Sequence, residues 1–187
     1  MSSFSSLKNH FLIAMPNLKD PYFSKTVTYI WQHDKEGAMG IVVNQLSTVF
    51  FAEVLQQVGV KPPLLASAYQ AVYLGGPVQP ERGFILHSTE TSWAGTIACS
   101  SEIALTVSPD ILQAIAEQQG PKQFLMALGY AGWEPGQLEL ELVENSWLAA
   151  PANTEILFKT PVHERWHKAA ALMGVDLQRM TSLVGHA

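Results

Sequence analysis

The stretch TVTYIWQHDKEGAMGIVV, residues 26–43, decides the architecture. Thr26–His33 and Met39–Val43 are β-branched, aromatic and aliphatic runs, and Asp34–Gly37 between them is a polar turn, so the segment predicts a β-hairpin. Upstream, His10–Met15 has the same character and is separated from the hairpin by a loop at 16–21 containing Pro, Asn and Asp. It adds a strand ahead of the hairpin.

Downstream the pattern changes period. Val49, Phe50, Val54, Leu55 and Val58 follow helical spacing, with Ser47 or Thr48 to cap the start and Gly59 to end it. Lys61–Gln70 reads as a Pro-containing loop, and Ala71–Leu74 and Gly83–His87 as short strands around the turn-rich Gly75–Arg82. Further β runs are expected at Thr96–Cys99 and Ile103–Val107. Ser108-Pro109-Asp110 opens a helix that should run to Gly120, because Ser caps free amides, Pro suits the first turn and Asp opposes the helix dipole. A second helix should open at Pro121, bury Phe124, Leu125 and Leu128, and end near Gly129. Leu138–Leu142 alternates Leu and Glu like a strand, yet Leu138 and Leu142 also share a helical face behind Pro135. Periodicity leaves both readings open. Ile156–Phe158 reads as a last short strand and Pro161–Met173 as a helix burying Val162, Trp166, Ala169, Ala170 and Met173. Strands and helices interleave without regular alternation, which argues for an α+β class. No repeat, linker or composition break divides the 187 residues, so one domain over 1–187 is expected.

Composition narrows the function classes. Eleven basic residues face 16 acidic ones, for a net charge of -5, and the basic ones are scattered. Nucleic-acid binding draws on clustered Lys and Arg, so direct contact with nucleic acid is not expected. Cys99 is the sole cysteine, which removes an intrachain disulfide and every zinc pattern with two or more thiolates, and suits a reducing cytoplasm. Phe11–Met15 is too short for a signal-peptide core and no stretch reaches the ~20 apolar residues of a membrane span. Charged residues make up 14% of the chain, against about 25% in an average soluble protein, which implies either a neutral Gln, Ser and Thr surface or an apolar patch for a partner.

The sharpest chemical pattern is His163-Glu164-Arg165-Trp166-His167, which matches the H-E-x-x-H of zinc hydrolases. Catalytic zinc needs a third protein ligand. The extended form of the motif fails at Ala170 and Met173, and only Asp176 and His186 remain downstream. No metal is therefore expected. There is no phosphate loop, dinucleotide fingerprint or nucleophile elbow, and no cofactor is expected either. Cys99, among small residues of a strand, reads as a buried and inert thiol. Gly75-Gly76-Pro77-Val78 reads as a tight turn, or as a place where backbone approaches a ligand closely. His33 and His87, each at a strand end, could form a polar pair with Asp20 or Asn44, or each could cap its strand.

Gly129-Tyr130-Ala131-Gly132-Trp133, with Gly136-Gln137-Leu138 and Glu141, resembles the G-Y-x-G-W-x-x-G-Q-L-x-x-E signature of the AlgH/YqgE family. That bacterial family has no assigned activity, and its members are sometimes labelled transcriptional regulators. Phe11–Pro16, Asp20 with Phe23, His33, Glu36–Gly40, Asn44, Gly75–Val78 and Leu86-His87 follow the family's motifs in order. Asn145, Trp147, Pro151, Phe158, Trp166 and Gly174 extend the match nearly to the end. The resemblance implies a mixed, strongly bent or barrel-like sheet flanked by helices, and implies helix at 136–144. It leaves His163 and His167 outside the pattern.

The functional expectation is a non-enzymatic regulatory or adaptor protein of the cytoplasm, binding a protein partner or small ligand on a surface that carries Asp20, His33, Asn44, Gly75, Gly76, His87, Trp133, Gln137, Glu141 and Asn145. The alternatives are an enzyme of unrecognised type, using His33 or His87 with Asp20 or Glu141, and a DNA-binding regulator built on a folded basic patch.

Overall fold

The computed structural model describes residues 3–184. Ten strands form one sheet that curls into a half-barrel: β1 (His10–Ala14), β2 (Val27–Asp34), β3 (Gly37–Val42), β4 (Leu46–Phe50), β5 (Ala71–Leu74), β6 (Val78–His87), β7 (Ile97–Ala98), β8 (Ala104–Thr106), β9 (Phe124–Trp133) and β10 (Trp147–Pro151). The main path runs β10-β1-β2-β3-β9-β6-β8-β7, and β4 pairs with β5, which joins β9. All pairings are antiparallel except β5 with β9. The expected hairpin is β2-β3, with Asp34 opposite Gly37 at its tip.

Five short helices cover the two faces: α1 (Phe51–Gln57), α2 (Asp110–Ala116), α3 (Gln137–Val143), α4 (Arg165–Ala171) and α5 (Leu177–Val184). The inner face is the main core. Phe11, Ile13, Val27, Tyr29, Trp31, Leu125 and Ala127 point into it, and Trp166, Ala169 and Ala170 of α4 with Leu177 of α5 close it. On the outer face Leu138 of α3 packs on Leu12, Ala14, Ile30, Ala131 and Trp133. Further along, α1 and α2 pack Leu55, Ile111 and Leu112 on Val72, Ile85 and Met126.

Two phase slips bend the sheet. In β9, Leu125 and Ala127 face inward, yet so does Tyr130, while Ala131 and Trp133 face outward. The even–odd alternation inverts at Gly129, whose φ of 77° is open to glycine at little steric cost. In β2, Tyr29 and Trp31 face inward and Ile30 outward, but the register shifts between Ile30 and Gln32, and His33 emerges on the α3 side. Extra residues of this kind increase local twist and turn a flat sheet into a trough.

Several expectations need correction. Residues 121–129 are not a helix: Phe124–Leu128 opens β9, the strand shared by β3, β5 and β6. Both faces of that strand are covered, so its run is continuously apolar and lacks strand alternation. Ile156–Phe158 is not a strand but part of a wide helical turn, Glu155–Lys159. Val49 and Phe50 belong to β4. The following helix is capped not by Ser47 or Thr48 but by Glu53, whose Oε2 accepts the Phe50 N–H at 2.7 Å. α2 stops at Ala116, short of Gly120, as the chain reverses through Gln118 at φ 61°. Strand β6 begins at Val78, with residues 79–82 bulged out of register against β9. Residues 138–142, which periodicity left open, are helical as the resemblance implies. Met173 is 48% exposed, outside the core that Trp166, Ala169 and Ala170 enter.

Candidate functional site

The polar residues singled out in the sequence gather mostly around α3. Glu141 stands at the centre: its Oε2 accepts the indole N–H of Trp133 at 2.9 Å and of Trp147 at 2.8 Å, and its Oε1 accepts from Gln137 at 3.0 Å. Gln137 in turn accepts the Glu134 N–H at 2.9 Å. Trp133 comes from the end of β9 and Trp147 from the start of β10, so one carboxylate ties two strands to the helix between them. Phe23 packs against both indoles, at 6.3 and 5.7 Å between ring centroids. Asn145 follows α3 in the left-handed conformation, φ 59°, and ends that helix.

Asp20 and Asn44 shape the loop that delivers Phe23. Asp20 Oδ1 accepts the N–H of Tyr22 and of Phe23, at 2.8 and 3.0 Å. Asn44 accepts the Val27 N–H at 2.8 Å and donates to the Lys25 carbonyl at 2.9 Å. His33 lies under the other edge of α3. Its Nδ1 accepts the Leu7 N–H at 2.9 Å, which puts the proton on Nε2, and Nε2 donates to Glu139 at 2.8 Å.

His87 lies elsewhere, at the end of β6, and shares no partner with His33. It is fully buried, and its Nδ1 donates to the Ser88 carbonyl at 2.8 Å while Nε2 meets the Thr106 hydroxyl at 2.7 Å. The chain continues from Thr106 to Thr96 at 2.7 Å and ends on the Trp93 N–H. Burial pushes the His87 pKa down, against the Ser88 carbonyl and the Glu90 charge, which favour protonation. Both histidines thus have both ring nitrogens hydrogen-bonded within the protein.

Gly75 and Gly76 begin the short link between β5 and β6, where the chain packs closely on β9. The Gly75 N–H donates to the Leu128 carbonyl and its own carbonyl accepts from Val42, both at 2.8 Å, and a side chain on Gly76 would overlap the Tyr130 carbonyl. Here backbone meets backbone, the link that follows β5 lying against residues 129–131 of β9 at the position of the phase slip. In the H-E-x-x-H segment, His163 sits in a short 3-10 turn and His167 on α4. Both are exposed, and His163 is 3.9 Å from Glu164. His186 lies outside the described residues. Cys99 is buried, and burial pushes its thiol pKa up.

The AlgH-like family model matches residues 11–178. The chain belongs to the AlgH-like family. It is 48% identical over its whole length, and the whole of the other chain, to a UPF0301 protein of Nitrosococcus oceani. It is 47% identical to the UPF0301 protein YqgE of Salmonella schwarzengrund, covering 97% of this chain and all of that one. The solution structure of AlgH from Pseudomonas aeruginosa superposes with a TM-score of 0.80 at 48% identity, over 100% of this chain and 99% of that one. In the AlgH-like chain, then, the signature Trp133-x-x-Gly136-Gln137-Leu138-x-x-Glu141 is a structural clasp. Among the described residues no helix is long and apolar enough to cross a membrane.

Two residues escaped the sequence reading. Glu139 is the partner of His33. Arg165 is 5% exposed and stands over the Tyr73 ring, its carbon 5.3 Å from the ring centre. A signal for Arg165 existed: Val162, Arg165, Trp166, Ala169, Ala170 and Met173 keep helical spacing, and the arginine occupies a position on the apolar stripe.

Proposed function

We propose that the chain is a non-enzymatic regulatory or adaptor protein of the cytoplasm that docks a partner protein on the α3 face. One observation carries this reading: the signature side chains of that region, Asp20, His33, Asn44, Trp133, Gln137 and Glu141, are all spent on internal hydrogen bonds. They build a rigid platform. On the platform α3 presents Leu140 and Val143, 58% and 79% exposed and one turn apart. Residues 134–144 contain four glutamates and no Lys or Arg, so the apolar spot has an acidic rim. A partner with an apolar centre and a basic rim complements it. The acidic rim also opposes phosphate, which weighs against a DNA-binding role at this face.

The test is capture from a bacterial lysate on immobilised wild-type protein and on a Leu140→Ser/Val143→Ser variant. The wild type should retain a specific protein that the variant loses, and retention should weaken at about 1 M salt, where the Debye length is ~3 Å. Circular dichroism should not change. Equal retention by both proteins would refute the docking surface.

A further inference from the structure

On the other side of the sheet from α3, a cavity of about 490 Å³ opens between β5, the start of β9 and α4. Its walls include Leu125 and Leu157, and its polar lining comprises Arg165, Lys122, Tyr73, Gln70, Gln123 and Ser67. No Asp or Glu lines it, in a chain of net charge -5.

Arg165 is the anomaly. Its Nε donates to the Thr160 carbonyl at 2.9 Å, and its Nη1 to the Val43 carbonyl at 2.6 Å and the Tyr73 hydroxyl at 3.0 Å. Every partner is neutral, and among the described residues no carboxylate lies within 4.0 Å. Withdrawing a cation from water is costly, and buried charges are ordinarily paired with an opposite one. Nη2 makes no hydrogen bond among the described residues, and it is not among the side-chain atoms sealed from solvent, where Thr28 Oγ1 alone lacks a partner. Because the Tyr73 oxygen accepts from the guanidinium, its own proton is unspent. The side-chain amides of Gln70 and Gln123 also bond no described residue. Lys122 stands at the rim. Glu90 accepts its backbone N–H but is not part of the wall.

We infer that this cavity binds a small organic anion through a carboxylate or phosphate group seated on Arg165 Nη2 and the Tyr73 hydroxyl, with Lys122 at the mouth. A planar, permanently charged guanidinium fixed by two carbonyls is pre-oriented for an oxyanion. The volume lies in the range of small-molecule sites. The site is independent of the α3 surface and stands or falls separately.

The test titrates the 15N-labelled full chain with sodium phosphate and, separately, sodium citrate, against sodium chloride at matched ionic strength. The Arg165 side-chain Nε–H resonance and the amides of residues 122–125 are followed. At least one of the two anions should shift them saturably by about 10 mM, as expected for a Kd near 1 mM or tighter. A response to phosphate alone identifies a phosphate ester as the ligand class, and a response to citrate alone a carboxylate. Response to both supports the shared oxyanion chemistry. Lys122→Ser, at the exposed rim, should fold and weaken binding about two- to fivefold, the worth of one rim charge. Arg165→Lys should lose the response while keeping the charge. If that variant does not fold, a Tyr73→Phe variant reads the same seat. No saturable shift with either ion, or equal shifts in the Lys122→Ser and Tyr73→Phe variants, would overturn the inference and leave an adventitious ion only.

Discussion

Replacing Glu141 by alanine removes the one acceptor shared by two indole N–H groups. Trp133 and Trp147 are 7% and 6% exposed, so water reaches the orphaned donors poorly. Leaving a buried donor unsatisfied costs about 1–3 kcal/mol, and bonds to a charged acceptor lie in the upper part of that range. Taking about 1.5–2 kcal/mol for each of the two indoles gives a loss of about 3–4 kcal/mol. For a chain of this length each kcal/mol moves the melting temperature by roughly 2–4 °C, so the variant should melt about 6–16 °C lower. Glu141→Gln keeps an acceptor oxygen for both indoles but not its charge, and should lose about half as much. Gln137→Ala, at an exposed helix position, should lose under about 0.5 kcal/mol. Guanidinium unfolding followed by tryptophan fluorescence reads the stability and the environment of both indoles together. A loss below about 1 kcal/mol for Glu141→Ala would refute the view that the signature glutamate serves as a clasp.

Two further outcomes follow from the packing. Gly76→Ala drives a methyl into the Tyr130 carbonyl and should cost more than about 4 kcal/mol, seen as loss of soluble protein, whereas Gly132→Ala, whose nearest contact would be Tyr130 Cε2 at 3.7 Å, should be tolerated. The folded pKa of His87 lies below its ordinary 6.5, so between those values the unfolded chain holds a proton that the folded chain lacks. Stability should therefore fall as pH drops below about 6.5, by up to about 1.4 kcal/mol per pH unit, and level off below the folded pKa. Denaturation midpoints taken across that window should lose this slope in His87→Gln, and a wild-type stability that rises on acidification would contradict the assignment.

The hairpin at 26–43 was legible because its turn is polar and its arms are β-branched. Strand β9 was not, since Phe124-Leu125-Met126-Ala127-Leu128 is buried on both faces and has no alternation to read; Pro121 and Gly129 then mimic helix punctuation. The same ambiguity made a strand of Ile156–Phe158. At the site, the resemblance pointed to Trp133, Gln137 and Glu141, but the clasp itself depends on β10 bringing Trp147 beside Trp133, a contact that no local pattern encodes. Arg165 lies inside the H-E-x-x-H segment, between His163 and His167. That no carboxylate of the described residues comes within 4.0 Å of it is a property of the fold.

The pairing of β1 with β10 has a consequence for how the chain is made. His10 lies opposite Pro151 and Ala14 opposite Trp147, and the Trp166 indole donates to the Ala14 carbonyl at 2.8 Å. During synthesis β1 can join β2 early, but its other edge waits for the segment that completes it, roughly 7–28 s later at the usual elongation rate. Throughout that interval the nascent chain carries an apolar strand, Phe11-Leu12-Ile13-Ala14, with one row of backbone groups unmatched. Such an edge invites pairing with a neighbouring nascent copy, so the vulnerable moment for this protein lies on the ribosome, before the last fifth of the chain has been made.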